Sequence, residues 1–238
     1  MDKASFINLR RKLLGPLAWH LSRRELHALM QERRDLEGIV HATNDYTGRG
    51  FYANIQSTQR VPETILLARL VQQARPKALV EIGTAQGGTL FIWVRTNPQL
   101  ELAVSIDLPG GRFGGGYDVR RVKLYREFAA DRPHTRMEFL RADSHAAPTL
   151  TLLKQVLGDK TIDFLFLDGD HTYDGVKKDF EMYSPLVRRS GVIAFHDIVT
   201  VDRGHEVFRF WNDIKSRYRY EEFVEDRRGD MGIGAIHV

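Results

Sequence analysis

The chain of 238 residues contains no cysteine. Disulfides, thiolate metal sites and cysteine nucleophiles are thereby excluded, and any metal site is left to imidazole and oxygen donors. Long apolar runs are also missing: none approaches the ~20 residues that span a bilayer, and the N-terminus lacks the continuous apolar stretch of a signal peptide. The expectation is a cytoplasmic protein with no membrane span. There is no internal repeat and no low-complexity tract. Charge of one sign is in small excess, a net +4 with a pI near 9.3. Basic clusters at Arg10-Arg11-Lys12, Arg23-Arg24 and Arg33-Arg34 could touch nucleic acid or an anionic surface. No aromatic-basic RNA-binding motif accompanies them, so solvated helix faces are the better reading and nucleic acid is disfavoured. At 42% hydrophobic residues the chain can bury a sizeable core, as one domain with an elaboration at one end.

What is present is organised around residues 78–90, an apolar run that ends in an acid and then a small-residue turn. Val80 and Ile82 read as a short buried strand, and residues 83–88 can turn sharply and let a ligand approach the backbone. A helix should follow, its first turn presenting unpaired N–H groups to a carboxylate or phosphate. Gly83, Ala85 and Gly88 approximate the dinucleotide fingerprint G-x-G-x-x-G, while Glu81-x-Gly83-x-x-x-Gly87 fits an S-adenosylmethionine loop. The loop alone leaves both ligands open.

Along the chain, residues 6–37 read as a helical N-terminal cap with a break or kink at Gly15-Pro16. Residues 46–52 form a turn-rich loop in which exposed aromatics could serve a substrate lid. A helix starts at Val61-Pro62-Glu63, with Leu66, Leu67, Leu70, Val71 and Ala74 forming its core face. After the glycine loop and its helix, residues 102–107 form a second strand ending in Asp107, an acid placed to accept hydrogen bonds from a ribose diol. Five glycines between Gly110 and Gly116 make the next stretch an irregular loop beside the ligand. A helix at 123–130 precedes a third strand at 137–144. Its end carries Asp143, a candidate acceptor for an adenine amino group, and Ser144. A helix at 150–157 leads to a fourth strand, 162–167. Strand and helix alternate throughout, which predicts a doubly wound, Rossmann-like α/β sheet.

The fourth strand opens into Asp168-Gly169-Asp170-His171, and after a helix at 176–186 a fifth strand, 192–195, ends in His196-Asp197. Ligands of open α/β sheets lie beyond the C-terminal strand ends, where these residues must converge. Asp168 and Asp197 can hold one hard divalent cation, with His196 as a third ligand whose imidazole suits Mn, Fe or Zn better than Mg. His171 can have its pKa set near neutrality and is a candidate general base, with Asp170 as its competitor.

Together, the Glu81-to-Gly87 loop, Asp107, Asp143-Ser144, Asp168-Gly169-Asp170-His171 and Phe195-His196-Asp197 resemble class I S-adenosylmethionine-dependent methyltransferases. Within them the chain is similar to the small-molecule O-methyltransferases that include cephalosporin-hydroxylase-like and macrolide-sugar branches, from about Gln56 to the C-terminus. The resemblance implies a seven-stranded sheet whose last strand is antiparallel, with 220–224 and 232–238 as the final two strands. It divides the chain into a cap and lid segment, 1–60, and an S-adenosylmethionine-binding domain, 61–238. It implies that Gly83, Thr84, Ala85 and Gly87, with Glu81 ahead of them, cradle the methionine part of the cofactor. Thr89 would meet its carboxylate, Asp107 the ribose, and Asp143 and Ser144 the adenine side. Metal ligands of catechol-type relatives match Asp168, His196 and Asp197, and their catalytic lysine matches His171. The chain departs twice from that pattern, with His in place of an acidic ligand at 196 and His in place of Lys at 171.

The expected function is transfer of a methyl group from S-adenosylmethionine to a hydroxyl of a small molecule or sugar, assisted by a divalent cation, Mg or Mn. Two alternatives stand beside it: a nucleotide-sugar transferase using Asp168-Gly169-Asp170 as a D-x-D motif, and a basic RNA-binding methylase. A homo-oligomer is compatible with the composition. Residues that choose the substrate are expected in the N-terminal cap, the 110–117 loop and residues 203–210.

Overall fold

The computed structural model describes residues 3–110, 115–201 and 204–238, with side chains from residue 15 onward. Seven strands form one sheet in the order β3-β2-β1-β4-β5-β7-β6. The strands are β1 (Ala78–Ile82), β2 (Leu102–Asp107), β3 (Arg136–Arg141), β4 (Ile162–Leu167), β5 (Val187–His196), β6 (Arg219–Phe223) and β7 (Ile233–His237). The first five pair in parallel, and β7 runs antiparallel to both β5 and β6. This is the doubly wound sheet with an antiparallel closing strand that the alternation and the resemblance predict.

Parallel strands covered on both faces read as continuous apolar runs, which is why β1, β2 and β4 stand out in the sequence. Side chains alternate between the two faces along each strand. Leu79, Phe164 and Phe166 point into one core layer, with α2 (Leu36–Asp45), α3 (Val61–Ala74) and α4 (Gly88–Thr96). Val80, Ile82, Leu165 and Leu167 point into the other, with α6 (Ala147–Leu157), α7 (Tyr173–Tyr183) and α8 (Val207–Ile214). By the same parity Glu81 falls on the α4 face, fully buried beside Trp93.

Several local expectations are corrected. The first helix, α1 (Lys3–Glu32), runs through Pro16, and the chain breaks instead at residues 33–35, where the Asp35 carboxylate caps α2 by accepting from Gly38 N at 2.8 Å. Proline removes one N–H bond of a helix, whereas a side-chain cap starts a new one. α7 begins three residues earlier than its apolar pattern suggests, because Thr172 caps it by accepting from Gly175 N. The 123–130 helix is a short α5 (Val122–Arg126) between two 3₁₀ turns. In the 46–52 loop Tyr46 is a core residue, 2% exposed, its hydroxyl donating to Tyr52 O at 2.8 Å.

Glu63, expected only to favour the start of α3, is 1% exposed and accepts from Glu225 N at 2.9 Å and Gly232 N at 3.1 Å. It ties the β6–β7 connection onto α3. Among the described residues, Arg23 pairs with Glu127 and Arg33 with Asp45, as solvated helix faces do. No helix among the described residues is long and apolar enough to cross a membrane.

Candidate active site

β1 and β4 pair through Ile82 and Leu167, so the turns that leave them lie side by side. Asp168 N donates to Ile82 O at 2.9 Å and Gly83 N to Ile106 O at 3.0 Å. Gly83 has φ +88, and a Cβ there would fall 1.9 Å from Asp168 O. The glycine loop and the acidic turn, 85 residues apart in sequence, are thus in backbone contact. Gly87, φ +86, lies against the Tyr125 ring, where a Cβ would come within 2.6 Å.

The loop is held from three sides. Asp107 Oδ2 accepts from Thr84 N at 2.9 Å and Ala85 N at 2.7 Å, and its Oδ1 accepts from Leu108 N and Gly116 N. Four backbone bonds fill the acceptor capacity of a carboxylate, so a diol reaching Asp107 must exchange with one of them. Tyr125 donates its hydroxyl to Ala85 O at 2.8 Å. Arg121 donates to Gln86 O at 3.0 Å and to Ala53 O at 2.8 Å, joining the loop to the segment that follows α2. That segment crosses the start of α4, where a Cβ on Gly88 would meet Ile55 O at 2.4 Å. Arg121 has no distinguishing sequence context, and only the fold shows its role.

Beneath the loop, burial pushes the Glu81 carboxyl up to about 8, outweighing the hydroxyls of Thr89 and Thr84 and the Trp93 indole that stand beside it. Glu81 Oε1 accepts from Trp93 Nε1 at 3.0 Å, while Oε2 is a buried atom without a hydrogen bond. Between about pH 5 and pH 8 the folded chain keeps a proton that the unfolded chain, with an ordinary carboxyl, has lost. Stability must fall as pH rises through that window. Glu81→Gln, neutral throughout, should match the wild type at pH 5 and exceed it at pH 8. Urea midpoints at pH 5, 6.5 and 8 test this, and parallel pH profiles for the two proteins would contradict it.

The acid and imidazole cluster forms at the tips of β4 and β5. Asp168 Oδ1 lies 3.2 Å from His196 Nδ1 and 3.9 Å from His171 Nε2. Asp197, held at φ +61, places Oδ2 2.6 Å from His171 Nδ1 and Oδ1 3.4 Å from His196 Nδ1. Thr200 donates its hydroxyl to Asp197 Oδ1 at 3.0 Å. His196 and Asp197 are each 5% exposed. Burial opposes charge on His196, but Asp168 and Asp197 outweigh it and push the imidazole up to about 10. Burial likewise opposes charge on Asp197, yet His171 and His196 hold its carboxyl far below the ordinary range. His171, also opposed by burial, is raised by Asp197 and Asp168.

Gln59, absent from the sequence-level candidates, donates its amide to Asp168 Oδ2 at 2.6 Å and is 7% exposed. Asp170 is exposed, and its Oδ1 accepts from Thr172 N at 2.9 Å and from the Thr172 hydroxyl at 2.8 Å. Asp143 and Ser144 stand past the tip of β3, two strands from β1, a distance of ~10 Å at the usual strand spacing. Asp143 Oδ1 accepts from His145 N, and Ser144 O accepts from the Tyr183 hydroxyl at 2.6 Å. Of the residues expected to choose a substrate, Gly111 to Gly114 and Arg203 lie outside the described residues, and Phe210 is buried against Phe180 and Phe195 in the core.

A family model described as a methyltransferase domain matches residues 80–198, the stretch from the glycine loop to just beyond Asp197. Two uncharacterised proteins are similar in sequence. Protein y4gI of Sinorhizobium fredii is 28% identical over 148 residues, 61% of this chain and 16% of that protein. Protein R132 of Acanthamoeba polyphaga mimivirus is 30% identical over 118 residues, half of each. The chain thus spans half or less of the curated relatives it matches. Among solved structures, the O-methyltransferase TomG from Streptomyces achromogenes, in complex with S-adenosylmethionine, superposes with a TM-score of 0.55 at 18% identity over 85% of this chain and 88% of its own. The O-methyltransferase from Bacillus cereus, in complex with S-adenosylhomocysteine, gives 0.51 at 17% over 85% and 90%. At these identities the likeness is one of fold.

Proposed function

We propose that this chain, which belongs to the methyltransferase domain family through residues 80–198, moves a methyl group from S-adenosylmethionine to a hydroxyl oxygen of a small molecule or sugar. The observation that carries the reading is the contact of Gly83 with the Asp168 backbone, which puts a methyl-donor loop and an acid and imidazole cluster on adjacent strand tips. The span from β1 to β3 suits a nucleoside, with Glu81, Gly83, Thr84, Ala85, Gly87 and Thr89 at the methionine end. Asp107 serves the ribose, and Asp143 and Ser144 the adenine. The O-methyltransferase neighbours with bound cofactor or product support the same assignment.

Asp168, His196 and Asp197 fit a divalent cation. One ligand atom from each lies within 4.8 Å of the others, and His196 turns Nδ1 to both carboxylates, 3.2 Å from Asp168 Oδ1 and 3.4 Å from Asp197 Oδ1. Two carboxylates with one imidazole suit Mn or another transition ion as well as Mg. A bound cation would lower the pKa of a coordinated substrate hydroxyl.

His171 is the base in this reading. Its Nδ1 meets Asp197, which orients the ring and stabilises its charged form, leaving Nε2 to take the hydroxyl proton. Asp170, whose Oδ1 is bound to Thr172, is the weaker candidate. S-adenosylmethionine, when bound, would supply an electrophilic methyl group: the substrate oxygen would take it, sulfur would keep the electron pair of the broken carbon–sulfur bond, and the hydroxyl proton would remain on His171. Alignment in a water-poor cleft is the protein's main contribution.

Calorimetric titration of the full chain with S-adenosylmethionine and S-adenosylhomocysteine should show binding in the micromolar range, and no binding at millimolar ligand would overturn the reading. With labelled donor, transfer to hydroxyl compounds should stop in excess EDTA. Transfer that continues undiminished would remove the cation and leave the methyltransferase reading standing.

A further inference from the structure

We infer that His171, Asp197 and His205 form a second cation position, rich in imidazole, which takes a transition-metal ion of the Zn(II) or Co(II) kind beside the Asp168 group. One ligand atom from each of the three lies within 4.8 Å of the other two. The His171 and His205 rings meet edge to face, with centroids 4.9 Å apart and planes at 83°. The approach of His205 is built in: Glu206 N donates to His171 O at 2.7 Å, and α8 begins at the buried Val207.

Asp197 is placed to bridge two ions. Its Oδ2 faces His171 and its Oδ1 faces His196, so each oxygen serves a different group. Two imidazoles and one carboxylate form a donor set for Zn, Co, Ni or Fe, whereas Mg prefers oxygen alone. His171 and His205 are half-buried at the rim, which leaves a fourth position open to water. Ligand atoms around a tetrahedral ion at 2.0–2.1 Å stand about 3.4 Å apart. The His171–Asp197 contact of 2.6 Å would open by under an ångström to reach that spacing. The inference stands on this geometry and does not rest on methyl transfer; while such an ion is bound, His171 is a ligand and not the base.

The test is to titrate the chelator-stripped full chain with Zn(II), and with Co(II) by visible absorption, in the wild type, His205→Ala and Asp168→Asn. His205→Ala should weaken Zn(II) binding at least ~10-fold and reduce the Co(II) bands, with Mn(II) binding changed less than ~3-fold; Asp168→Asn should do the reverse. Unchanged Zn(II) affinity and Co(II) spectrum in His205→Ala would overturn the inference. Anomalous diffraction from Zn(II)-loaded crystals of the unaltered chain guards against misfolding of the variant. An ion at His171 and His205 supports the site, and an ion found only at Asp168 and His196 rejects it. Calorimetry with S-adenosylmethionine on the same preparations reports separately on the proposed function.

Discussion

Gly83→Ala is expected to abolish S-adenosylmethionine binding and to lower the melting temperature by roughly 5–20 °C. Two costs add. A side chain at φ +88 holds the backbone in a conformation that costs ~1–3 kcal/mol outside glycine. The new Cβ would also lie 1.9 Å from Asp168 O, a backbone atom that can yield only if the tips of β1 and β4 separate. Overpacking of that kind costs another ~1–3 kcal/mol. For a domain of this size each kcal/mol shifts melting by about 2–4 °C. Gly158→Ala is the control: its φ is +59, yet nothing lies within 4 Å of its Cβ, so it carries the backbone cost alone. Melting curves of the two variants and calorimetry with the cofactor decide the matter. Gly83→Ala melting with Gly158→Ala and binding cofactor normally would refute the claim that this contact joins the two halves of the site.

The same contact marks where sequence reasoning succeeds and where it stops. β2 and β4 are legible to the residue because each is a mainly apolar run, interrupted only by Ser105 and Asp107 in β2 and by Asp163 in β4, as a strand buried on both faces should be. The polar strand ends Asp107, Asp168 and Asp197 are legible because an open parallel sheet sends them all to one edge. Gln59 was not legible. It reaches Asp168 across 109 residues because the segment after α2 crosses the α4 N-terminus, and no local pattern encodes that crossing. Glu63 reads as an acid in a first helical turn, although its carboxylate closes the β6–β7 connection from 162 and 169 residues away. α8 is a different case: Val207, Phe210, Trp211 and Ile214 recur at helical spacing and are all buried, so the pattern was available. Asp170 shows the limit for chemistry, since the sequence offers it as a competitor to His171 and cannot show the Thr172 hydrogen bonds that engage its Oδ1.

Asp168→Asn is expected to lower methyl transfer, read as S-adenosylhomocysteine released with an accepted hydroxyl substrate, by about 10³-fold or more. The substitution keeps the size of the side chain and removes its charge. Asp168 is the leading influence that raises His196 against burial, and it also raises His171. Without it, both the cation and the protonated base lose the carboxylate that faces them. An amide can still accept from Gln59, so the segment after α2 should stay in place. Gly83 touches only the backbone of residue 168, so S-adenosylmethionine affinity should change less than ~3-fold while Mn(II) affinity falls at least ~10-fold. This division is the informative result. A loss of cofactor binding equal to the loss of turnover would mean that Asp168 is part of the donor site, as a D-x-D nucleotide-sugar enzyme requires. Turnover above a tenth of wild type would show that neither cation nor base depends on this acid, and would move the chemistry away from the tips of β4 and β5.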